Sequence, residues 1–168
     1  MRRTWAVTGS VIFFFLAPGV VGFLLPWLIV QWNDAGVWPD AGWLRWPGLA
    51  IGVAGLAELL ECFARFALQG EGTPAPVAPT KHLVVTGAYR HVRNPMYVAV
   101  VAIILGWALW FGSLAVLLYA AVVWLCFTAF VLVYEEPTLR TTFGKQYETY
   151  CSNVGRWIPR LSPWTPEV

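Results

Sequence analysis

Two short segments hold side chains whose types and spacing suit chemistry. The first, Lys81 to Tyr97, reads K-H-L-V-V-T-G-A-Y-R-H-V-R-N-P-M-Y. It is an apolar, strand-like stretch, then a glycine turn, then a basic and aromatic patch that ends at Pro95. Proline favours the first turn of a helix, where its missing N–H is not needed. The free N–H groups of that turn, with Arg90 and Arg93 beside them, suit a carboxylate or a phosphate. The same arginines also read as anchors for lipid headgroups. The second segment is Val-Leu-Val-Tyr-Glu-Glu, ending in Glu135 and Glu136. Two acids at the C-terminal end of an apolar helix oppose its macrodipole, so some demand other than helix stability selects them.

The elements between these segments must bring them together. From Asn94 to Tyr134 there are 41 consecutive uncharged residues, about twice the ~20 that cross a bilayer core. Phe111-Gly112-Ser113 is the turn signal within them, predicting antiparallel spans over 95–111 and 113–134. A tight hairpin places the start of one span and the end of the other one helix-packing distance apart, ~8–10 Å. Upstream, no charge falls between Thr4 and Asn33, which predicts a span over 7–30, too long for a cleavable signal and kinked at Pro18 and Pro26. A further span is predicted over 46–68, and residues 70–79 form a Pro/Gly linker.

The 168 residues are 58% hydrophobic and only 12% charged, where soluble domains carry about 25% charge. The expectation is an all-α, polytopic membrane helix bundle of about four spans, with residues 1–168 as one domain. Leu139, Phe143, Tyr147, Tyr150 and Val154, at steps of three and four, predict an amphipathic C-terminal helix on the membrane surface. A net charge of +2 without a basic run argues against a nucleic-acid partner. Nine of the eleven basic residues fall at the ends of spans that share one side, so both termini are expected in the cytoplasm of a prokaryotic cell. Trp38, Trp43, Trp46, Trp107 and Trp110 would form an aromatic belt at the opposite face.

Three further features stand out in the sequence. Glu58, Glu61 and Arg65 share one face of the second span and read either as a structural ion pair or as lining for a substrate cavity. His82, His91 and the three cysteines make no metal set, so no metal is expected. Gly48 and Gly52 form a GxxxG that suits close helix packing.

A pocket with arginine, carboxylate and tyrosine suits a ligand bearing both charge signs and a cation held by aromatic faces. S-adenosylmethionine has that chemistry. The pattern G-x-Y-R-x-V-R-N-P-M-Y, an uncharged hairpin, then E-E-x-x-L-x-x-x-F-G-x-x-Y-x-x-Y and R-x-I-P resembles the isoprenylcysteine carboxyl methyltransferase and phospholipid methyltransferase superfamily over about residues 80–160. The resemblance implies an integral membrane methyltransferase. In it, Lys81, His82, Leu83 and Val84 would line the adenosine side of S-adenosylmethionine. Tyr89, Arg93, Asn94, Pro95, Met96 and Tyr97 would flank its methionine part, and Glu135, with Glu136, would meet its polar groups. Two departures from the pattern stand out. The usual Arg-His-Pro is Arg93-Asn94-Pro95 here, which removes an imidazole base. Val131 stands where the prenylcysteine enzymes carry a substrate-binding arginine.

The acceptor implied is lipophilic or reached from the membrane, with a phospholipid amine or a small thiol as alternatives. From other classes, a nicotinamide-dependent membrane reductase and a non-catalytic membrane adaptor were also weighed. The acceptor and the oligomeric state are not legible in the residues.

Overall fold

A computed structural model of the chain describes residues 13–32, 41–69 and 83–165. The expected start of the first span and the 70–79 linker lie outside them. Among the described residues every regular element is helical. Four apolar helices form a bundle: α1 (Phe15–Trp32), α2 (Arg45–Gln69), α3 (Pro95–Phe111) and α4 (Leu114–Phe130). A π turn, Val131–Glu135, carries α4 directly into α5 (Glu136–Phe143), and α6 (Lys145–Asn153) follows. The helical stretches Phe15–Trp32, Gly42–Arg65 and Leu114–Phe143 are long and apolar enough to cross a membrane. With the shorter α3 between them, they make this an integral membrane protein.

Helix α3 is the axis of the bundle. Its buried residues Ala99, Val100, Ile103, Ile104 and Ala108 pack with Leu59 and Phe63 of α2 and with Val116, Ala120 and Val123 of α4. Between α2 and α3 the backbones almost touch, because glycine faces glycine. A Cβ on Gly106 would lie 2.8 Å from Gly52 Cα and 2.9 Å from the Gly48 carbonyl oxygen. The GxxxG of α2 is therefore used within the chain, where dispersion contacts replace the hydrophobic drive that lipid does not supply.

The hairpin turn shows why Phe-Gly-Ser reverses the chain. Gly112 ends α3 in the left-handed region, at φ 62°, which only glycine enters at no steric cost. Ser113 then caps α4, its Oγ accepting from the Val116 N–H at 3.3 Å. Leu118, Val122 and Leu125 lie exposed along α4, and Val133 along the π turn that continues it, the stripe a membrane helix shows to lipid. Trp46 and Trp110 meet edge to face at the hairpin end of the bundle.

Helix α1 winds as a π-helix from Phe15 to Leu24 and contains Pro18. At its end the Leu25 N–H bonds the Val20 carbonyl, five residues back. In that register the next carbonyl, Val21, would take its proton from residue 26. Residue 26 is proline and has none. Tyr119 of α4 supplies it instead, its hydroxyl donating to the Val21 oxygen at 2.9 Å. An unpaired carbonyl at membrane depth is costly, so this bond ties α1 to α4.

The expected amphipathic helix over 139–154 is divided. Gly144, at φ 50°, breaks it into α5, which continues the α4 span, and α6, whose Tyr147 and Tyr150 are buried with Val154. The tail beyond α6 is not helical and turns back along residues 90–94.

Tyr119→Phe should lower stability by about 1 kcal/mol, the scale of a polar bond within a bundle, in thermal unfolding of the detergent-solubilised protein. Pro26→Ala restores an N–H at residue 26, so adding it should recover most of that loss. Equal stability of wild type and Tyr119→Phe would remove the assigned role of this bond.

Candidate active site

The two chemical segments meet because the hairpin holds the ends of α3 and α4 side by side, and a cavity of about 350 Å³ opens between them. It has two unlike arms. Tyr89, Arg93, Asn94, Tyr97, Glu135 and Glu136 line the polar arm, with Leu83, Val84, Tyr147 and Tyr150 beside them. The apolar arm runs into the bundle past Met96, Val100, Phe127 and Val131, between Leu59 and Phe63 of α2 and Ala17, Pro18 and Val21 of α1.

The acidic pair divides its work. Glu136 is buried and clamped. Arg156 donates to both of its oxygens, Nε to Oε1 at 2.6 Å and Nη2 to Oε2 at 3.0 Å, and Arg93 Nη1 lies 3.3 Å from Oε1. A carboxylate shared by two guanidinium groups in this geometry is held in its charged form by charge-assisted bonds. Glu135 instead accepts a single bond, from the Tyr97 hydroxyl at 2.8 Å, and stays in the cavity wall.

The basic patch is mostly a seat for the tail. Arg90 Nε donates to the Trp164 carbonyl at 2.7 Å, and the Arg93 N–H donates to the Gly155 carbonyl at 2.9 Å. The Asn94 side-chain amide donates to the Arg156 carbonyl at 3.1 Å. His91 Nδ1 bonds the Arg160 carbonyl at 2.8 Å, which as an acceptor requires that nitrogen to carry the proton. Asn94, in the place of the usual histidine, thus fastens the tail with an amide donor. Arg93 faces both ways: its Nη1 meets Cys151 Sγ and Glu136, while its Nε is buried without a hydrogen-bond partner.

Tyrosines close the polar arm. The Tyr150 hydroxyl donates to the Tyr89 carbonyl at 2.6 Å and so joins α6 to the 3₁₀ turn Gly87–Arg90. Desolvation raises the Tyr89, Tyr147 and Tyr150 phenols above the ordinary tyrosine value. They remain neutral at physiological pH, so they offer a cation their ring faces and not a phenolate.

Not every expected site residue lines the cavity. Leu83, Val84, Tyr89, Arg93, Asn94, Met96, Tyr97, Glu135 and Glu136 do; Lys81 and His82 lie outside the described residues. Pro95 does not, because its ring is buried as the first residue of α3. Glu58, Glu61 and Arg65 do not line it either. Leu59 and Phe63 present α2 to the cavity, and the charged residues lie on the adjoining face, where Arg65 pairs with Glu61 one turn away. That pair lies over Gly87, where φ is 56° and a Cβ would overlap the guanidinium. The glycine of the G-x-Y-R pattern is fixed by both conditions. The pattern of residues did not announce the contribution of α1; for the helix of Tyr147 and Tyr150, a role in capping the cofactor stood beside simple anchoring. These two tyrosines lay on the predicted amphipathic stripe, and the apolar face of that stripe turns out to cover the cavity.

The sequence profile of the phospholipid methyltransferase family matches residues 48–146, more than half of the chain. The chain belongs to this family. An uncharacterized protein of Haemophilus influenzae is 33% identical over 63 residues, 38% of this chain and all of that protein. A protein-S-isoprenylcysteine O-methyltransferase of Schizosaccharomyces pombe is 38% identical over 82 residues, 48% of this chain. The alignment spans only 34% of the yeast protein's length. No solved structure gives a significant match. The matched region begins at Gly48 of α2 and ends within α6, so it contains the hairpin and both acids but not the tail.

Arg156→Met should loosen the tail while Arg93 still holds Glu136. Arg156 is one-third exposed, so the loss is expected near 1–2 kcal/mol, below the 3–5 kcal/mol typical of fully buried pairs. Trypsin cleavage after Arg160 should accelerate several-fold, and an unchanged rate would show that the clamp does not hold the tail.

Proposed function

We propose that the protein is a methyltransferase that uses S-adenosylmethionine and transfers its methyl group to a lipophilic acceptor reached from the membrane. The observation that carries this reading is the two-armed cavity, with its polar arm at the end of the hairpin and its apolar arm inside the bundle. Its volume suits a small organic ligand.

The residues present fit the cofactor. Arg93, with a buried and unpartnered Nε, suits its carboxylate. Glu135, bonded on one oxygen only by Tyr97, suits its ammonium group, and the neutral tyrosine rings suit a sulfonium. Glu136 holds Arg93 in place and leaves Glu135 to meet the ligand. The bound cofactor supplies a methyl group already activated on sulfur, so the chain must mainly align the acceptor with it and keep water out. Phe127, Val131, Leu59 and Phe63 would hold the hydrocarbon part of the acceptor.

The acceptor class rests on two side chains. In the cavity wall Val131 stands one turn before the acids and brings no positive charge for an acceptor carboxylate, while Glu135 brings a negative one. This favours an amine, such as that of a phospholipid headgroup, over a prenylcysteine carboxylate. Such an amine would attack in its neutral form, its proton lost before the nitrogen lone pair displaces the methyl group from sulfur. The positive-inside distribution supports a cytoplasmic location for this end of the bundle and both termini, where the cofactor is found.

Calorimetry on detergent-solubilised protein should show binding of S-adenosylhomocysteine and not of NADPH. Glu135→Gln and Tyr89→Ala should each weaken that binding about tenfold or more, equivalent to ~1.4 kcal/mol, and Glu58→Gln should leave it unchanged. Wild-type affinity in both cavity variants would refute the site. Binding of NADPH alone would favour a reductase.

A further inference from the structure

The tail beyond α6 carries apolar side chains that the cofactor reading does not use. Ile158 is 81% exposed and Leu161 fully so, in the run Trp157-Ile158-Pro159-Arg160-Leu161. Trp157 fixes the depth of this run. Its ring lies 4.5 Å from that of Trp124 and 6.4 Å from that of Tyr97. Trp124 is six residues before the end of α4, about 9 Å into the apolar helix. Tyr97 is in the first turn of α3, a helix of 17 residues that spans about 25 Å, less than the ~30 Å hydrocarbon core. The tip of the tail therefore sits at the depth of the bilayer edge, beside two membrane helices, where lipid is the neighbour.

The backbone is suited to that place. Non-helical chain at a membrane edge must leave few N–H groups unpaired. Pro159 and Pro163 have none, the Arg160 N–H bonds the His91 carbonyl, and the Trp164 N–H bonds the Arg90 carbonyl. The Arg160 guanidinium reaches back to the Asn153 carbonyl, on the polar side of the tip, as a snorkelling arginine does.

We infer that Ile158 and Leu161 insert into the bilayer leaflet next to the site, so that the tail is a strap held by protein at residues 90–94 and by lipid at its tip. The strap carries Arg156 to Glu136 and Trp157 to Tyr97, and Tyr97 in turn positions Glu135. Release of the tip from lipid would slacken the polar arm of the cavity. This inference concerns the membrane and not the methyl acceptor, so it stands or falls separately from the cofactor reading.

The test uses the full chain in phosphatidylcholine and phosphatidylglycerol bilayers, with exposed Cys126 replaced by serine. A fluorophore is attached at Ile158→Cys, at Leu161→Cys, and at Glu148→Cys on the exposed side of α6 as the reference. Lipids bearing a nitroxide high on the acyl chain should quench the first two at least twice as strongly as the third. Quenching no stronger than at Glu148→Cys would overturn the inference. So would shielding from both lipid and aqueous quenchers, because a second copy of the chain would then cover the tip. In the same bilayers, Ile158→Ser with Leu161→Ser should speed trypsin cleavage after Arg160 several-fold, whereas an unchanged rate would show that lipid does not hold the strap.

Discussion

The carboxylate of Glu136, shared between Arg93 and Arg156, is the interaction on which the rest of the site depends. It joins three pieces of chain distant in sequence: the loop that enters α3, the helix that leaves the membrane after α4, and the tail. Each has its own reason to be near the membrane surface, but none of those reasons sets their mutual distance. A bidentate arginine pair does, because its geometry is narrow. Such a carboxylate would be expensive to bury alone; with both guanidinium groups in place, burial makes it rigid. The neighbouring Glu135 is thereby left with a different role although its residue type is the same.

That difference is produced by the backbone. In the π turn Val131–Glu135 the Glu136 N–H bonds the Val131 carbonyl, five residues back, so one extra residue enters the turn and the face presented by the chain rotates. Glu136 is delivered to the arginines and Glu135 to the cavity wall. The wall across the cavity is also a π segment, Phe15–Leu24, with Ala17, Pro18 and Val21 facing inward. π turns cost hydrogen-bond geometry and are kept where they aim a side chain or widen a space. Both π segments of the described chain border this one cavity.

Much of this was legible in the residues. Composition and the uncharged 41-residue run gave the membrane bundle. Phe111-Gly112-Ser113 located the hairpin turn because both its glycine and its serine have local jobs, a positive φ and a cap. The hairpin in turn required the acids and the arginines to be neighbours. The reading stopped at the level of direction. Spacing places Glu58, Glu61 and Arg65 on one helix face, but whether that face meets the cavity or the 87–90 turn depends on how α2 rotates against α3, which Gly48, Gly52 and Gly106 decide. The division between Glu135 and Glu136 depended on a π turn that has no sequence signature. The tail was illegible for a related reason. Arg90 and Asn94 look like ligands for a small molecule, but they and His91 bond carbonyl groups of residues 156–164, which any sequence would provide.

The same fact shows what residue 94 has to do in this chain. Fastening the tail at residue 94 requires one donor aimed at the Arg156 carbonyl. An amide nitrogen meets that requirement as well as a protonated ring nitrogen does, and it stays a donor at every pH, whereas imidazole changes its charge near neutrality. Asn94 makes the bond without placing a titrating group at the rim of the cavity. Glu135 lines the cavity and is not committed to the clamp. The arrangement divides the cavity's residues in two: Glu136, Arg93, Arg156 and Asn94 hold the chain segments together, while Glu135, Tyr97 and the tyrosine rings line the polar arm without joining that clamp.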